Sequence, residues 1–168
     1  MNQGPRYHVK PRRRREGRTD YRKRLKLLRS GKVRAVVRKS IKNTQIQLVE
    51  YKEEGDNILV SANSIELKIK YNWKFSTSTT PAAYLTGFLA GKRAKDKGIN
   101  ECVLDTGRHP PITGSKIFAS VKGLVDAGIE CGHSEEKIPN EDRIMGKHLN
   151  KDIMPAINDI KNKITGGK

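Results

Sequence analysis

VRAVVRKSIKNTQIQLVEYKEEGDNILVSA, residues 33–62, is the stretch on which the fold turns. In 33–40, Val33, Ala35 and Val37 alternate with Arg34, Val36 and Arg38. In 44–51, Ile46 and Leu48 alternate with Gln45, Gln47 and Val49, and NILVSA at 57–62 is a third, shorter β-prone run. Period-two alternation sends successive side chains to opposite faces of a sheet. The link from Ser40 to Asn43 is short and polar, and EEGDN at 53–57 is a turn signal built on Gly55. Links this short join antiparallel neighbours. The stretch therefore predicts a three-stranded antiparallel meander.

Downstream, residues 65–73 are amphipathic and fit a helix or a strand, and 75–80 form a Ser/Thr linker. Thr80-Pro81 is a helix start, with Thr as cap and Pro at the first helical position. Ala82, Leu85, Phe88, Leu89 and Ala90 follow at helical spacing, and Gly98 ends the run. ECVLDTG at 101–107 reads as a brief strand. A loop with Pro110, Pro111 and Gly114 leads to Ser115, and Ile117, Phe118, Val121, Leu124 and Val125 mark another helix, closed by Gly128. Ile129–Cys131 suits a last short strand. Right-handed crossovers make the last two strands parallel to their neighbours. The fold class is α/β, an α+β mixed sheet in which the meander is followed by strand-helix crossovers. This order resembles the ribonuclease-H-like arrangement.

Upstream, Thr19 suits a helix N-cap and Asp20 suits the positive end of the helix dipole. Tyr21, Leu25 and Leu28 make an apolar face by which the helix should dock, with Arg22, Lys23, Lys26 and Arg29 on the rest. Residues 1–17 hold two Pro, two Gly and the run Arg12-Arg13-Arg14-Arg15, with almost nothing to bury. They read as an arm that orders on its ligand. Beyond His133 the chain is charged, with weak helix signals at 142–149 and 156–164 divided by Pro155. Three parts result: a basic arm (1–18), a globular α/β domain (19–133) and a partly helical C-terminal extension (134–168). With 35% hydrophobic residues there is enough for one modest core, so the ends should be poorly buried.

Charge narrows the function. Lys and Arg total 35 against 18 Asp and Glu, a net of +17. Residues 1–30 alone carry 12 basic and 2 acidic side chains, a net of +10. Self-repulsion on this scale opposes compaction unless a polyanion relieves it. A membrane is the weaker candidate, because no apolar run approaches the roughly 18–20 residues that span one. The N-terminus has no apolar stretch behind its charges, so it is not a signal peptide, and a cytoplasmic chain is expected. Cys102 and Cys131 lie outside any C-x-x-C pair and should be free, buried thiols. His8, His109, His133 and His148 have no metal-ligand spacing.

Catalysis is not expected. A metal-dependent nuclease needs converging carboxylates. The first strand carries Arg34 and Arg38 where an acid would sit, and Asp105 is better suited to bonding loop backbone. A DNA-compacting protein is a second rival, but it needs no ordered core of this length. Gly114-Ser115-Lys116 lacks the Walker spacing yet opens a helix. Ser115 and Lys116 therefore either receive an RNA phosphate or belong to a plain helix cap. The arm is rich in Arg, whose planar guanidinium makes bidentate phosphate contacts and stacks on bases. Tyr7 and Tyr21 are placed to stack on unpaired bases, and Arg34, Arg38 and Lys39 continue the basic surface. An extended arm suits irregular RNA better than regular duplex DNA.

GPRYHVKPRRRREGRTDYRKRLKLLRSGKVRAVVRKS (4–40) resembles the N-terminal signature of the large-subunit ribosomal proteins that bind 5S rRNA, the "L-eighteen" family with its eukaryotic "L-five" counterpart. AAYLTGFLAGKRA (82–94), CVLDTG (102–107) and TGSKIFASVKGLVDAGIECGHSEE (113–136) match in order, and the RRRREGRTDY arm looks like the archaeal branch. Residues 150–168 match nothing in the family. The resemblance implies a ribonucleoprotein role in translation, as a structural constituent of the ribosome in the central protuberance. The implied partners are 5S rRNA, 23S rRNA and neighbouring large-subunit ribosomal proteins, with no cofactor and no small-molecule substrate. It implies RNA contacts from Arg6, Tyr7, Lys10, Arg12, Arg13, Arg14, Arg15, Arg18, Tyr21, Arg22, Arg34, Arg38, Lys39 and Asn43. In the extension, Lys147, Lys151, Lys161 and Lys163 permit further rRNA contact.

Overall fold

The computed structural model describes residues 4–149 and 152–166; the first three residues of the expected arm, and Lys151, lie outside the described residues. The element order is α1 (Arg12–Arg15), α2 (Tyr21–Leu28), β1 (Arg34–Lys39), β2 (Thr44–Lys52), β3 (Gly55–Asn63), α3 (Ser64–Tyr71), α4 (Thr80–Asp96), β4 (Glu101–Asp105), α5 (Lys116–Asp126), β5 (Glu130–Cys131), a 3-10 turn (Glu135–Lys137), α6 (Glu141–Ile144) and α7 (Ile153–Gly166). The strands form one mixed sheet in the order β3-β2-β1-β4-β5. β2 pairs antiparallel with both β1 and β3, while β4 pairs parallel with β1 and with β5. Register places Ala35 opposite Leu48 and Val37 opposite Ile46, and Val60 and Ala62 continue the row on β3. All six are buried on one face, which is the face the alternation marks.

That face is closed by α4 and α5, and α7 packs in turn on α4. Helix α4 starts one residue earlier than the Thr-Pro pair suggests: Thr79 is the cap, its hydroxyl accepting from the Ala82 N–H at 3.5 Å. Its apolar positions run round most of the helix, as suits a helix enclosed by neighbours. It meets α5 backbone to backbone. A methyl added at Gly87 would drive into the Ser120 carbonyl oxygen, and one at Gly123 into that of Tyr84. The ambiguous stretch 65–73 is helical over most of its length. A capping box decides it: the Asn63 side chain accepts from Ile65 N–H at 3.1 Å, and Glu66 accepts from Asn63 N–H at 2.9 Å.

The C-terminal end departs from expectation. Ile153, Ile157, Ile160 and Ile164 fall on one stripe of α7 and are all buried. Each such burial stabilises by about 1.5–3 kcal/mol, enough to hold a highly charged segment on the core. Lys161 adds a cation–π contact, its Nζ 4.9 Å from the centre of the Tyr84 ring. Pro155 does not divide this segment. It lies in the first turn of α7, where an N–H has no helical partner to lose.

Candidate nucleic-acid interface

The other face of the sheet is organised by charge. Arg34 lies between Val33 and Ala35 on β1 and points away from the apolar core. Its side chain is nonetheless 2% exposed. It pairs with Asp56 from the start of β3 at 2.8 Å and with Asp105 from the end of β4 at 3.2 Å. A buried guanidinium is tolerable only with such partners. Partial burial pushes the Asp56 carboxyl up, but hydrogen bonds from Arg34 and Arg24 outweigh it and hold the group below its ordinary value. Asp105 also accepts from the Gly107 N–H at 2.7 Å, the loop-backbone bond expected of it, and from Arg38 at 3.4 Å. Its carboxylate is therefore fully engaged, which leaves it unsuited to general-base or metal work.

Helix α2 lies over this charged patch, and polar bonds hold it there. Its cap is Asp20 rather than Thr19, accepting from the N–H groups of Arg22 at 3.0 Å and Lys23 at 3.2 Å. Lys23 donates to Thr106 Oγ1 at 2.6 Å and to the Gly107 carbonyl at 3.2 Å. Arg24 forks onto Asp56, with both bonds at 2.9 Å. The expected docking stripe therefore faces largely outward: Tyr21 is 41% and Leu25 52% exposed, and only Leu28 is half-buried. The sheet surface under α2 is ionic, so the helix turns its Lys23–Arg24 side to the carboxylates instead.

The arm forms one helical turn over Arg12–Arg15 with no buried residue. Arg12 and Arg18 both pair with Glu16, at 3.1 and 2.9 Å. Arg13 Nε donates to Thr19 Oγ1 at 2.8 Å. Apart from this local bond to Thr19, a hydrogen bond from the Arg108 guanidinium to the Gly17 carbonyl ties the arm to the loop after β4. Between arm, α2 and the loop after β4 lies a cleft of about 130 Å³, lined chiefly by Arg13, Arg18, Lys23, Arg24, Arg38 and Arg108. Arg38 is half-exposed at its floor, bonded to the Asp105 carbonyl at 2.8 Å. Burial, then the charges of Lys39 and Arg38, push the His109 imidazole below its ordinary value.

The residues expected from sequence thus separate. Arg13, Arg18 and Arg38 converge on the cleft. Arg6, Tyr7, Lys10, Arg12, Arg14, Arg15, Tyr21, Arg22 and Lys39 are exposed around it or along the arm. Arg34 does not belong to the exposed surface; its role is to hold Asp56 and Asp105 in place. Asn43 ties the β1–β2 turn inward, its Oδ1 accepting from Thr77 at 2.9 Å and from Ser64 at 3.4 Å. Ser115 and Lys116 lie outside the cleft lining, and Ser115 makes no side-chain cap bond. Lys23, Thr106, Gly107 and Arg108 were missed. Their only local signal is Gly107, whose φ of 59° is the left-handed region that glycine favours. Among the described residues no helix is long and apolar enough to cross a membrane.

Residues 5–100 match the family described as "Ribosomal large subunit proteins 60S L5, and 50S L18". The chain is similar to large ribosomal subunit protein uL18 of Aeropyrum pernix, 49% identical over 149 residues that cover 89% of this chain and 70% of the relative. It is similar to the protein of that name from Korarchaeum cryptofilum, at 50% identity over 89% of this chain and 76% of the relative.

Proposed function

Because the chain belongs to the family of large-subunit ribosomal proteins 60S L5 and 50S L18, which are structural proteins and not enzymes, we propose that it binds 5S rRNA and helps attach it to 23S rRNA in the central protuberance. The observation that carries this reading is the convergence of arm, α2 and the end of β4 on one cationic cleft. The arm (1–18) wraps the RNA, and the body (19–133) is the fixed platform. The extension (134–168) secures the helix layer through α7 and offers Lys147 and Lys163 to rRNA or a protein neighbour. The strand order, with its antiparallel half and two parallel crossovers, supports a ribonuclease-H-like arrangement of this platform.

In this mechanism the arm displaces condensed counterions as it lies on phosphates. With about 8 phosphates neutralised on partly single-stranded RNA, the slope of log K against log salt is about −6. The exposed Tyr7 and Tyr21 rings stack on unpaired bases, so specificity follows the irregular 5S shape. The test is a competition titration at physiological salt, with labelled 5S rRNA challenged by tRNA and duplex DNA. A preference for 5S rRNA of about a hundredfold or more is expected, since specific sites exceed non-specific ones by about a thousandfold or more in comparable systems. Equal competition would reduce the arm to a general polyanion binder.

A further inference from the structure

We propose that the cleft between arm and body seats a single RNA backbone phosphate, and that this phosphate fastens the arm to the platform. The proposal rests on the RNA-binding reading above and assigns a ligand to one place within it. Its basis is a charge imbalance. Six cationic side chains line the cleft, and three of their charges are answered: Arg18 by Glu16, Arg24 by Asp56 and Arg38 by Asp105. Arg13, Lys23 and Arg108 have only neutral oxygens as partners: Thr19 Oγ1, Thr106 Oγ1 with the Gly107 carbonyl, and the Gly17 carbonyl. The carboxylates beside them are already committed. Asp20 caps α2, and Asp105 holds Arg34, Arg38 and the Gly107 N–H.

Three cations with no ion pair of their own outnumber Asp20, a lining carboxylate that pairs with none of them; that surplus raises the energy of the docked arm, and an anion bound among them reverses the sign of that term. The available volume, about 130 Å³, suits one phosphate group and leaves no room for a stacked base pair. Arm and body contribute cations from opposite sides, Arg13 from α1 and Lys23 and Arg108 from the body. A shared phosphate therefore adds a charge-assisted bridge across the cleft, where the free chain has the Arg108–Gly17 hydrogen bond between guanidinium and neutral carbonyl. Gly17 suits the arm side: its φ of 63° lies in the left-handed region that glycine favours.

The test compares the full chain with Arg13→Gln/Arg108→Gln, both exposed positions where the fold tolerates exchange. RNA affinity is measured across a salt series, and tryptic cleavage of the arm is followed in the complex. The double variant is expected to bind roughly tenfold more weakly, with the salt slope shallower by about 0.7 and the arm cleaved in the bound state. Arg108→Lys, which keeps the charge, should retain the wild-type slope. A double variant with both wild-type slope and wild-type arm protection would overturn the proposal. So would protection of the free wild-type arm by inorganic phosphate alone with the slope unaltered in the variant, since the occupant would then be a free ion. A wild-type chain with no preference for 5S rRNA over tRNA would instead sink the 5S reading, and the cleft could still be judged, because the slope is readable on either RNA.

Discussion

On β1, Ala35 and Val37 point into the helix layer and are fully buried. Arg34, adjacent in sequence, is buried just as deeply on the opposite face, between Asp56 and Asp105. The apolar face is closed by α4 and α5, which fit shape to shape through their glycine seam, with the isoleucine stripe of α7 packed behind α4. The charged face is covered by one short helix, with the arm tied across it by the Arg108–Gly17 hydrogen bond. Apolar contact is non-directional and self-sufficient. An ionic layer is satisfied only when each charge has its partner, and any surplus cation is left for a ligand. One face therefore secures the fold, and the other carries the surplus charge that the proposed RNA contact would answer.

This division can be attacked from either side, and the expected losses of stability descend as follows. Asp105→Ala removes partners from Arg34, Arg38 and the Gly107 N–H together, and leaves Arg34 with Asp56 alone. A loss at the lower end of about 3–5 kcal/mol is expected in denaturant unfolding; a change under about 1 kcal/mol would mean the charged face does not support the fold. Gly123→Ala forces a methyl onto the Tyr84 carbonyl across the α4–α5 seam. It should cost about 1–3 kcal/mol and leave the RNA salt slope unchanged, because the seam lies on the face of the sheet opposite the proposed RNA surface.

Acid should weaken the charged face. The Asp56 pKa is lowered in the fold, so its contribution is full above the ordinary carboxylate value and disappears as pH falls from there through the folded value. Glu66, where burial is outweighed by Arg93 and the Asn63 N–H, loses stability over the same acidic window. Thermal melts taken downward from pH 5 should show the decline, and Asp56→Asn should flatten it. Tyr21→Ala has the smallest expected effect on the fold, within about 0.5 kcal/mol, since the ring is 41% exposed. Its cost should appear instead in RNA affinity, at about 1–3 kcal/mol if a base stacks there. A variant that loses stability but no affinity would put Tyr21 back among the packing residues.

The same contrast explains what could be read from the chain. Strands β1 to β3 were legible because alternation is local: Ala35, Val37, Ile46 and Leu48 carry their burial in their spacing. Helices α4 and α5 were legible for the same reason. The orientation of α2 was not. Periodicity identifies an apolar stripe but not what lies opposite, and the partners of Lys23 and Arg24 come from 32 to 84 residues away. Arg34 was misplaced on the surface because its counter-charges, Asp56 and Asp105, stand in separate strands. The α7 stripe was present in the sequence, at Ile153, Ile157, Ile160 and Ile164, but the surrounding charge obscured it. In the proposed site, arginine density marks the arm in the sequence, whereas Arg108 carries no local pattern and stands out only through the cleft it lines.

The most direct measurement is made on a chain lacking residues 1–17, with thermal unfolding and 5S rRNA affinity determined on the same preparation. No described residue of the arm is buried, so the melting curve should be unchanged within about a degree or two, as for other surface changes of a few tenths of a kcal/mol. Affinity should fall by orders of magnitude and the salt slope should become markedly shallower. A truncated chain that binds 5S rRNA as tightly as the full one would contradict the account, because recognition would then belong to the platform alone.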